Sequence, residues 1–278
     1  MTIKKTYKLF IGGKFPRTES GRILEIRGFD GSLIANASRA SRKDFRNSVV
    51  AARKATGGWA KSSAYLKGQI LYRIAEMLDG RRSQFVDELE SQGLPRAKGE
   101  ADVAEAIDLL VHYAGWSDKY QQLFSSVNPV ASPHFNFSTP EPTGVVGIVA
   151  PKRGSLPELV SALAPVIVGG NTAIVLAGED AITAISFAEV LATSDVPAGV
   201  VNILTGFRDE LVPEFAKHMD VNAVLLCSND VAEKKVVDLE SAENLKRISH
   251  QPNRPLKKSP YHILDFQEIK MTWHPIGV

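Results

Sequence analysis

The chain has 278 residues, 44% of them hydrophobic and 23% charged, with 33 Lys and Arg against 31 Asp and Glu. That composition excludes the disordered, collagenous and disulfide-stapled classes, and the length allows one large domain with appendages and a substantial core. A formal net charge of +2 supplies no dominant field for steering a polyanion, so neither nucleic acid nor an anionic membrane is an expected partner. The opening MTIKKTYKLF carries lysines with no apolar run behind them and is not expected to act as a signal peptide. KLFIGG and ILEIRGFDG are short apolar runs closed by glycines, the pattern of hairpins. Ser41 is placed to cap a helix over 42–55. Leu66, Ile70, Ile74 and Leu78 share one face of a longer helical region over 62–90, which Gly93 and Pro95 stop. A third helix over 98–124 carries Val103, Ile107, Leu110 and Ala114 on one stripe, so the three should form a layer against a sheet.

That sheet is expected from residue 145 onward, with strands over 145–150, 173–176, 200–204, 221–226 and 246–249. Helices over 156–168, 181–191, 209–218 and 230–239 alternate with them. Near-continuous β-branched runs separated by helices signal a parallel sheet buried on both faces and wound with right-handed crossovers, a Rossmann-like α/β fold. Residues 159–178 carry no charge and are long enough to cross a bilayer. Pro165 and the run Gly169-Gly170-Asn171-Thr172 break them instead into a buried helix, a turn and a buried strand. The closing HILDFQEIKMTWHPIGV departs from the alternation and reads as a strand of another sheet.

Generic chemistry is sparse. There is no GxGxxG, no GxxxxGK[ST] and no GxSxG, and the six histidines (His112, His134, His218, His250, His262, His274) include no HExxH or HxxxH, so no metal site is expected. Lys152-Arg153-Gly154-Ser155 is the one basic, glycine-containing loop after a strand, open to reading as a phosphate site or as a solvated loop. Cys227 stands alone, which excludes an intrachain disulfide and two-cysteine redox chemistry and fits a reducing, cytoplasmic location. Following Leu225-Leu226 at a strand end, it reads as an inert core thiol or as a reactive one near a helix N-terminus.

The run EPTGVVGIVAPKRGSLPELVSALAPVIVGGNTAIVLAGED, followed by VPAGVVNILTG, resembles the coenzyme-binding domain of the aldehyde dehydrogenase superfamily. KLFIGGKF, AARKATGGWA and HYAGWSDKY fit the same family. The resemblance implies five regions: N-terminal hairpins and a helical layer (1–128), an oligomerisation arm (129–141) and a Rossmann-like core (142–251). A linker in place of the catalytic domain (252–260) and a C-terminal oligomerisation strand (261–278) complete them. The implied fold is α/β, a Rossmann-like parallel sheet with flanking helices plus a small antiparallel oligomerisation sheet.

Checked against the family's motifs, the chemical positions are altered. The Pro-Trp-Asn that ends the first strand reads Pro151-Lys152-Arg153, replacing the oxyanion-holding amide with a cation. The Lys-Pro-Ser/Ala-Glu that binds ribose reads Leu176-Ala177-Gly178-Glu179, so only Glu179 survives. The phosphate-facing Phe-Thr-Gly-Ser-Thr-x-x-Gly corresponds to Leu225-Leu226-Cys227-Ser228-Asn229-Asp230-Val231-Ala232. Cys227 and Ala232 stand at glycine positions, while Ser228 keeps a hydroxyl at the helix N-terminus. Asp230 on that first turn opposes phosphate, although family members often carry Glu there. Gln251 falls at or near the general-base position after Asn244-Leu245-Lys246-Arg247 and is no base at neutral pH, with His250 beside it as a conceivable substitute.

No cysteine follows Cys227, so the resemblance carries over no nucleophile. LDFQEIKMTWHPIG resembles the family's far C-terminal strand, joined through Pro252, Pro255 and Pro260 as if by an internal deletion. No catalytic residue is therefore assigned. Pro151, Glu179 and Ser228 are the remaining cofactor contacts, and NAD or NADP is expected to bind weakly or not at all. The first expectation is a non-catalytic scaffold or regulatory subunit that assembles with itself or with a full-length aldehyde dehydrogenase. The alternative keeps residual NAD(P) binding or another ligand in the emptied cleft, where Lys152 and Arg153 suit an anion.

Overall fold

The computed structural model describes residues 4–28, 30–152, 155–178, 181–252 and 258–277. At the N-terminus, β1 (Thr6–Tyr7) pairs parallel and β2 (Ile23–Arg27) antiparallel with β3 (Leu33–Ser38). KLFIGGKF is no hairpin of that sheet. Ile11 and Lys14 close a tight turn, and Phe10 exchanges backbone hydrogen bonds with Ile203 at the edge of the main sheet.

Helix α1 (Arg42–Lys61) starts at Ser41, which forms a capping box with Asp44. It runs past its expected end at 55 because Trp59 is buried and its Nε1 donates to the Ile167 carbonyl at 2.9 Å, holding the last turn through Gly57 and Gly58. The helix expected over 62–90 is two, α2 (Ala64–Gly80) and α3 (Arg82–Ser91). The break falls at Arg81, which follows the poor helix former Gly80 and turns its guanidinium to Glu189 at 2.6 Å. Ile70, Ile74 and Leu78 are buried as their spacing requires, but Leu66 on the first turn is exposed. The stripe expected over 98–124 divides at Gly115 into α4 (Arg96–Ala114) and the short α5 (Tyr120–Phe124).

After β4 (Ser126–Asn128) and β5 (His134–Pro142) comes the main sheet. Its elements are β6 (Val145–Val149), α6 (Leu156–Val168), β7 (Thr172–Leu176), α7 (Ala181–Ala192) and β8 (Val201–Leu204). Then follow α8 (Arg208–Lys217), β9 (Ala223–Leu226), α9 (Val231–Ala242) and β10 (Arg247–His250). Each lies within one or two residues of its expected place, except that α9 runs three residues past 239, because β-branched runs bounded by glycine and proline leave little choice of register. The five strands are parallel in the order β10-β9-β6-β7-β8, and β6, β7, β8 and β9 are buried along their whole length. One apolar cluster packs α2, α3, α4, α6 and α7 on one face; a second packs α1, α8 and α9 on the other. Among the described residues no helix is long and apolar enough to cross a membrane.

Past β10, α10 (Tyr261–Leu264) leads into β11 (Gln267–Pro275), which pairs antiparallel with β5 over nine residues to form the sheet β11-β5-β4. The arm therefore begins at Ser126, ahead of its expected start at 129. Buried Ile263 and Phe266 dock this segment on the core. Asn171 Nδ2 donates to the Phe266 carbonyl at 2.9 Å, and Gln267 Nε2 donates to the Gly169 carbonyl at 2.9 Å. Residues 253–257, the middle of the expected linker, lie outside the described residues.

Candidate functional site

The chain leaves the sheet through β6, β7 and β8 in one direction and through β9 and β10 in the other. The order reverses between β6 and β9, and the crevice beyond the carboxyl ends of such strands is where open α/β sheets hold ligands. The strand ends bring Pro151, Gly178, Arg208 and Ser228 together there. After β6, the Pro151 and Lys152 carbonyls approach Gly178 so closely that a Cβ at that position would overlap both, which explains the glycine at the end of β7. The void left between these loops, lined by Pro151, Leu156, Gly178 and Thr183, is about 30 Å³, the room of a single water. Glu179 and Arg153 lie outside the described residues.

On the other side of the switch point, the first turn of α9 is closed by its own residues. Asp230 is the N-cap, and its Oδ1 accepts from the amides of Ala232 at 2.8 Å and Glu233 at 3.3 Å. These are the donors a phosphate would need. The Ser228 hydroxyl accepts from the Asp230 amide at 3.1 Å and also hydrogen-bonds the Glu233 carboxylate. Cys227 is buried in the core, its amide donating to the Val149 carbonyl at 2.9 Å.

Arg208, at the start of α8, spans the crevice. Its Nε and Nη2 donate to the two carboxylate oxygens of Glu233 at 2.6 and 2.8 Å, and Nη1 donates to the Ala150 carbonyl at 2.6 Å. Burial pushes the Glu233 carboxyl up, but Arg208 and the Ser228 hydroxyl outweigh it and hold the group below its ordinary value. The ion pair therefore stays charged and bridges β6, α8 and α9 across the reversal of strand order. Beside it lies a groove of about 580 Å³ between β2 and the ends of β7 and β8, lined by Ile26, Arg27, Lys152, Gly178, Phe207 and Arg208. Arg208 and Glu233 were not singled out from the sequence. The available signal was a cation directly after the β8 run, in Gly206-Phe207-Arg208, the same criterion that drew attention to Lys152.

At the end of β10, Gln251 Nε2 donates to Asp265 Oδ2 at 2.6 Å and to Ser249 Oγ at 2.9 Å, tying the strand to the segment that carries β11. His250 Nε2 pairs with Asp238 Oδ1 at 2.7 Å, an attachment to α9 on the opposite face. The two residues near the expected base position thus hold different parts of the fold, Gln251 the segment before β11 and His250 the helix α9. Among the described residues no group of three or more His, Cys, Asp or Glu could hold a metal ion.

The arm contrasts with this closed crevice. Ile269, Met271 and Trp273 of β11 are 58%, 55% and 53% exposed on one face of its sheet, and Val127 and Phe135 are exposed on the other. β11 is an edge strand whose outer side has no neighbour among the described residues.

The sequence model of the aldehyde dehydrogenase family matches residues 15–251. Cytosolic 10-formyltetrahydrofolate dehydrogenase of Xenopus laevis is 30% identical over 257 residues, covering 90% of this chain and 28% of the relative. An aldehyde dehydrogenase of Aspergillus niger is 27% identical over 277 residues, covering 97% of this chain and 54% of the relative. The NAD+ complex of a Bacillus cereus aldehyde dehydrogenase superposes with a TM-score of 0.83 at 24% identity, covering 88% of this chain and 50% of that one, a match of fold. The chain thus spans about half the length or less of these relatives.

Proposed function

The chain belongs to the aldehyde dehydrogenase family, and from that premise we propose that it is a non-catalytic member that acts as a scaffold or regulatory subunit through the β4-β5-β11 arm. The observation that carries the reading is the pairing of a crevice bridged by its own residues with an arm whose edge strand has no outer neighbour among the described residues and whose apolar side chains are half exposed. The crevice as these residues build it disfavours the phosphates of a nicotinamide dinucleotide, although the groove of about 580 Å³ at the ends of β7 and β8 is roomy. Asp230 takes the first-turn amides of α9, the Arg208–Glu233 pair crosses the strand ends, and the loops after β6 and β7 leave about 30 Å³ between them. Only residues 251–266 separate β10 from β11, so no further domain stands between the core and the strand that completes the arm. Gln251 acts as a tether there, and an amide has no proton-accepting role at neutral pH.

A long apolar edge strand left bare is an aggregation hazard, so the arm is expected to be covered by a second subunit, either another copy or a full-length aldehyde dehydrogenase. Isolation of the protein from its own cells, with partners identified and counted by mass spectrometry, tests this. Recovery as a homo-oligomer, or at fixed stoichiometry with a full-length relative, supports assembly; recovery as a lone monomer contradicts it. The 580 Å³ groove favours one second reading, a ligand-binding protein whose lining offers Lys152 to a ligand, with Arg27 there paired to Glu25 at 2.6 Å and Asp209 and Glu233 sharing the wall.

A further inference from the structure

We propose that the groove beside β2 takes an extended peptide segment of a partner protein, paired as an added strand on the free edge of β2 and carrying apolar side chains at alternate positions. The proposal rests on the reading of that groove as a ligand site and names the class of ligand; the arm has no part in it.

The hydrogen-bond phase of β2 fixes which of its groups face outward. The Arg39 amide donates to the Arg22 carbonyl at 3.0 Å, and these two stand opposite each other in the register that sets Ile23 against Ser38. Leu24 and Ile26 therefore give their backbone groups to β3, while the amides and carbonyls of Ile23 and Glu25 point away from it. The opposite side of β3 keeps the same alternation, since the amide of Asn36, the partner of Glu25, donates to the Lys5 carbonyl at 3.0 Å. β2 ends its sheet, with no strand beyond it among the described residues.

Leu24, Glu25, Ile26 and Arg27 all line the groove, although successive side chains of a strand point to opposite faces. A void that touches four consecutive residues lies along the edge of the strand, and the other edge is taken by β3. The outward groups of Glu25 thus face the groove, and those of Ile23 continue the same edge at its end.

Charge in the lining is matched within the protein. Arg27 pairs with Glu25 at 2.6 Å and Arg208 with Glu233 at 2.6 Å, and the two that remain, Lys152 and Asp209, are opposite in sign. The groove therefore selects neither an anion nor a cation; it offers backbone groups and apolar surface. Phe207 is 44% exposed there, one face of its ring covered by the Arg39 guanidinium at 3.9 Å. Donors and acceptors repeating every second residue are met by another extended chain, which returns two bonds to each of Ile23 and Glu25. In antiparallel pairing the peptide residues opposite Leu24 and Ile26 share their face, where the small Ala177, Gly178 and Ala181 leave room for apolar side chains. The register shift between Ile26 and Arg27 ends the regular edge, so pairing is confined to four bonds and a short segment.

Panning a random heptapeptide library against the immobilised whole protein supplies the probe, and an enriched peptide with a fluorescent tag is then followed by anisotropy. Alternating apolar residues and micromolar affinity are expected. Glu25→Pro removes one outward N–H, leaves the ladder to β3 intact, and should weaken binding by about tenfold with an unchanged circular dichroism spectrum. On the native protein, methylating alternate amide nitrogens of the peptide should abolish binding in one phase and spare it in the other. In hydrogen exchange read by NMR, the peptide should slow the Ile23 and Glu25 amides. A library that yields no binder, or a binder indifferent to the methylation phase, overturns the proposal. A binder that shifts Phe207 without protecting those two amides overturns strand pairing and leaves the groove standing as a ligand site; one that leaves Phe207 unmoved overturns both.

Discussion

The carboxyl ends of the central strands and the three-stranded arm treat their polar groups in opposite ways. In the crevice, donors and charges are met from within: Asp230 caps α9, Glu233 takes Arg208, and Gly178 lets two loops close on each other. In the arm, β11 leaves a row of backbone groups and three large apolar side chains to whatever comes next. Unmet groups are costly unless something covers them. The difference is what motivates the proposal that the chain works through its arm, although the crevice is where an α/β sheet ordinarily binds its ligand.

The sharpest way to break this contrast is to remove the arm's last strand. Deletion of 261–278 takes away Ile263, Phe266 and the Gln267 contact to Gly169, and strips β5 of one of its two strand partners. Insoluble or monomeric protein is expected, and a soluble, unchanged oligomer on gel filtration counts against the account. Phe266→Ala separates docking from pairing. It opens a cavity between the arm and the core and should cost about 3–5 kcal/mol in urea denaturation, as large-to-small changes at buried aromatics do. A loss below about 1 kcal/mol would mean that the arm hangs free of the core.

Smaller effects test the crevice. Arg208→Ala leaves Glu233 and the Ala150 carbonyl without their partner and should lower stability by about 1.5–3 kcal/mol, the usual range for hydrogen bonds to a charged group. An unchanged urea midpoint would show the bridge to be incidental. Asp230→Ala should cost about 1 kcal/mol as a lost N-cap.

The fold was legible where periodicity and punctuation agreed. The helix at 156–168, with Ser155 before it and Gly169 after it, was placed to the residue. The N-cap role of Ser41 follows from a side chain that competes for first-turn amides, whereas Asp230, expected on the first turn of α9, is its cap instead. Helix ends held by tertiary contacts were not legible. Trp59 carries α1 past two glycines by a bond to Ile167, more than a hundred residues away, and Arg81 breaks α2 while reaching to Glu189. For the same reason the Arg208–Glu233 bridge stayed hidden, since its partners come from different crossovers and meet only when the strand order reverses. Pro151 and Ser228 fall just past β6 and β9, where the strand pattern put them, but their engagement by Gly178 and Glu233 was not legible.

The smallest effect concerns a buried cation in the core. Lys246 Nζ donates to the His218 carbonyl at 2.8 Å and the Val221 carbonyl at 2.5 Å, and burial pushes its ammonium down to about 8 from an ordinary 10.5. Between those values the unfolded chain binds more protons than the folded one, so stability rises as pH increases through the window. The urea midpoint should climb modestly from pH 8 to 9.5, before the tyrosines of the unfolded chain ionise, and Lys246→Met should flatten that slope.

The most direct measurement is a calorimetric titration of NAD+ and NADP+ into the whole protein. No binding heat is expected up to millimolar nucleotide, because the α9 amides and the strand ends are already engaged by Asp230 and the Arg208–Glu233 pair. Micromolar binding of either nucleotide would contradict it and return the function of this chain to the crevice.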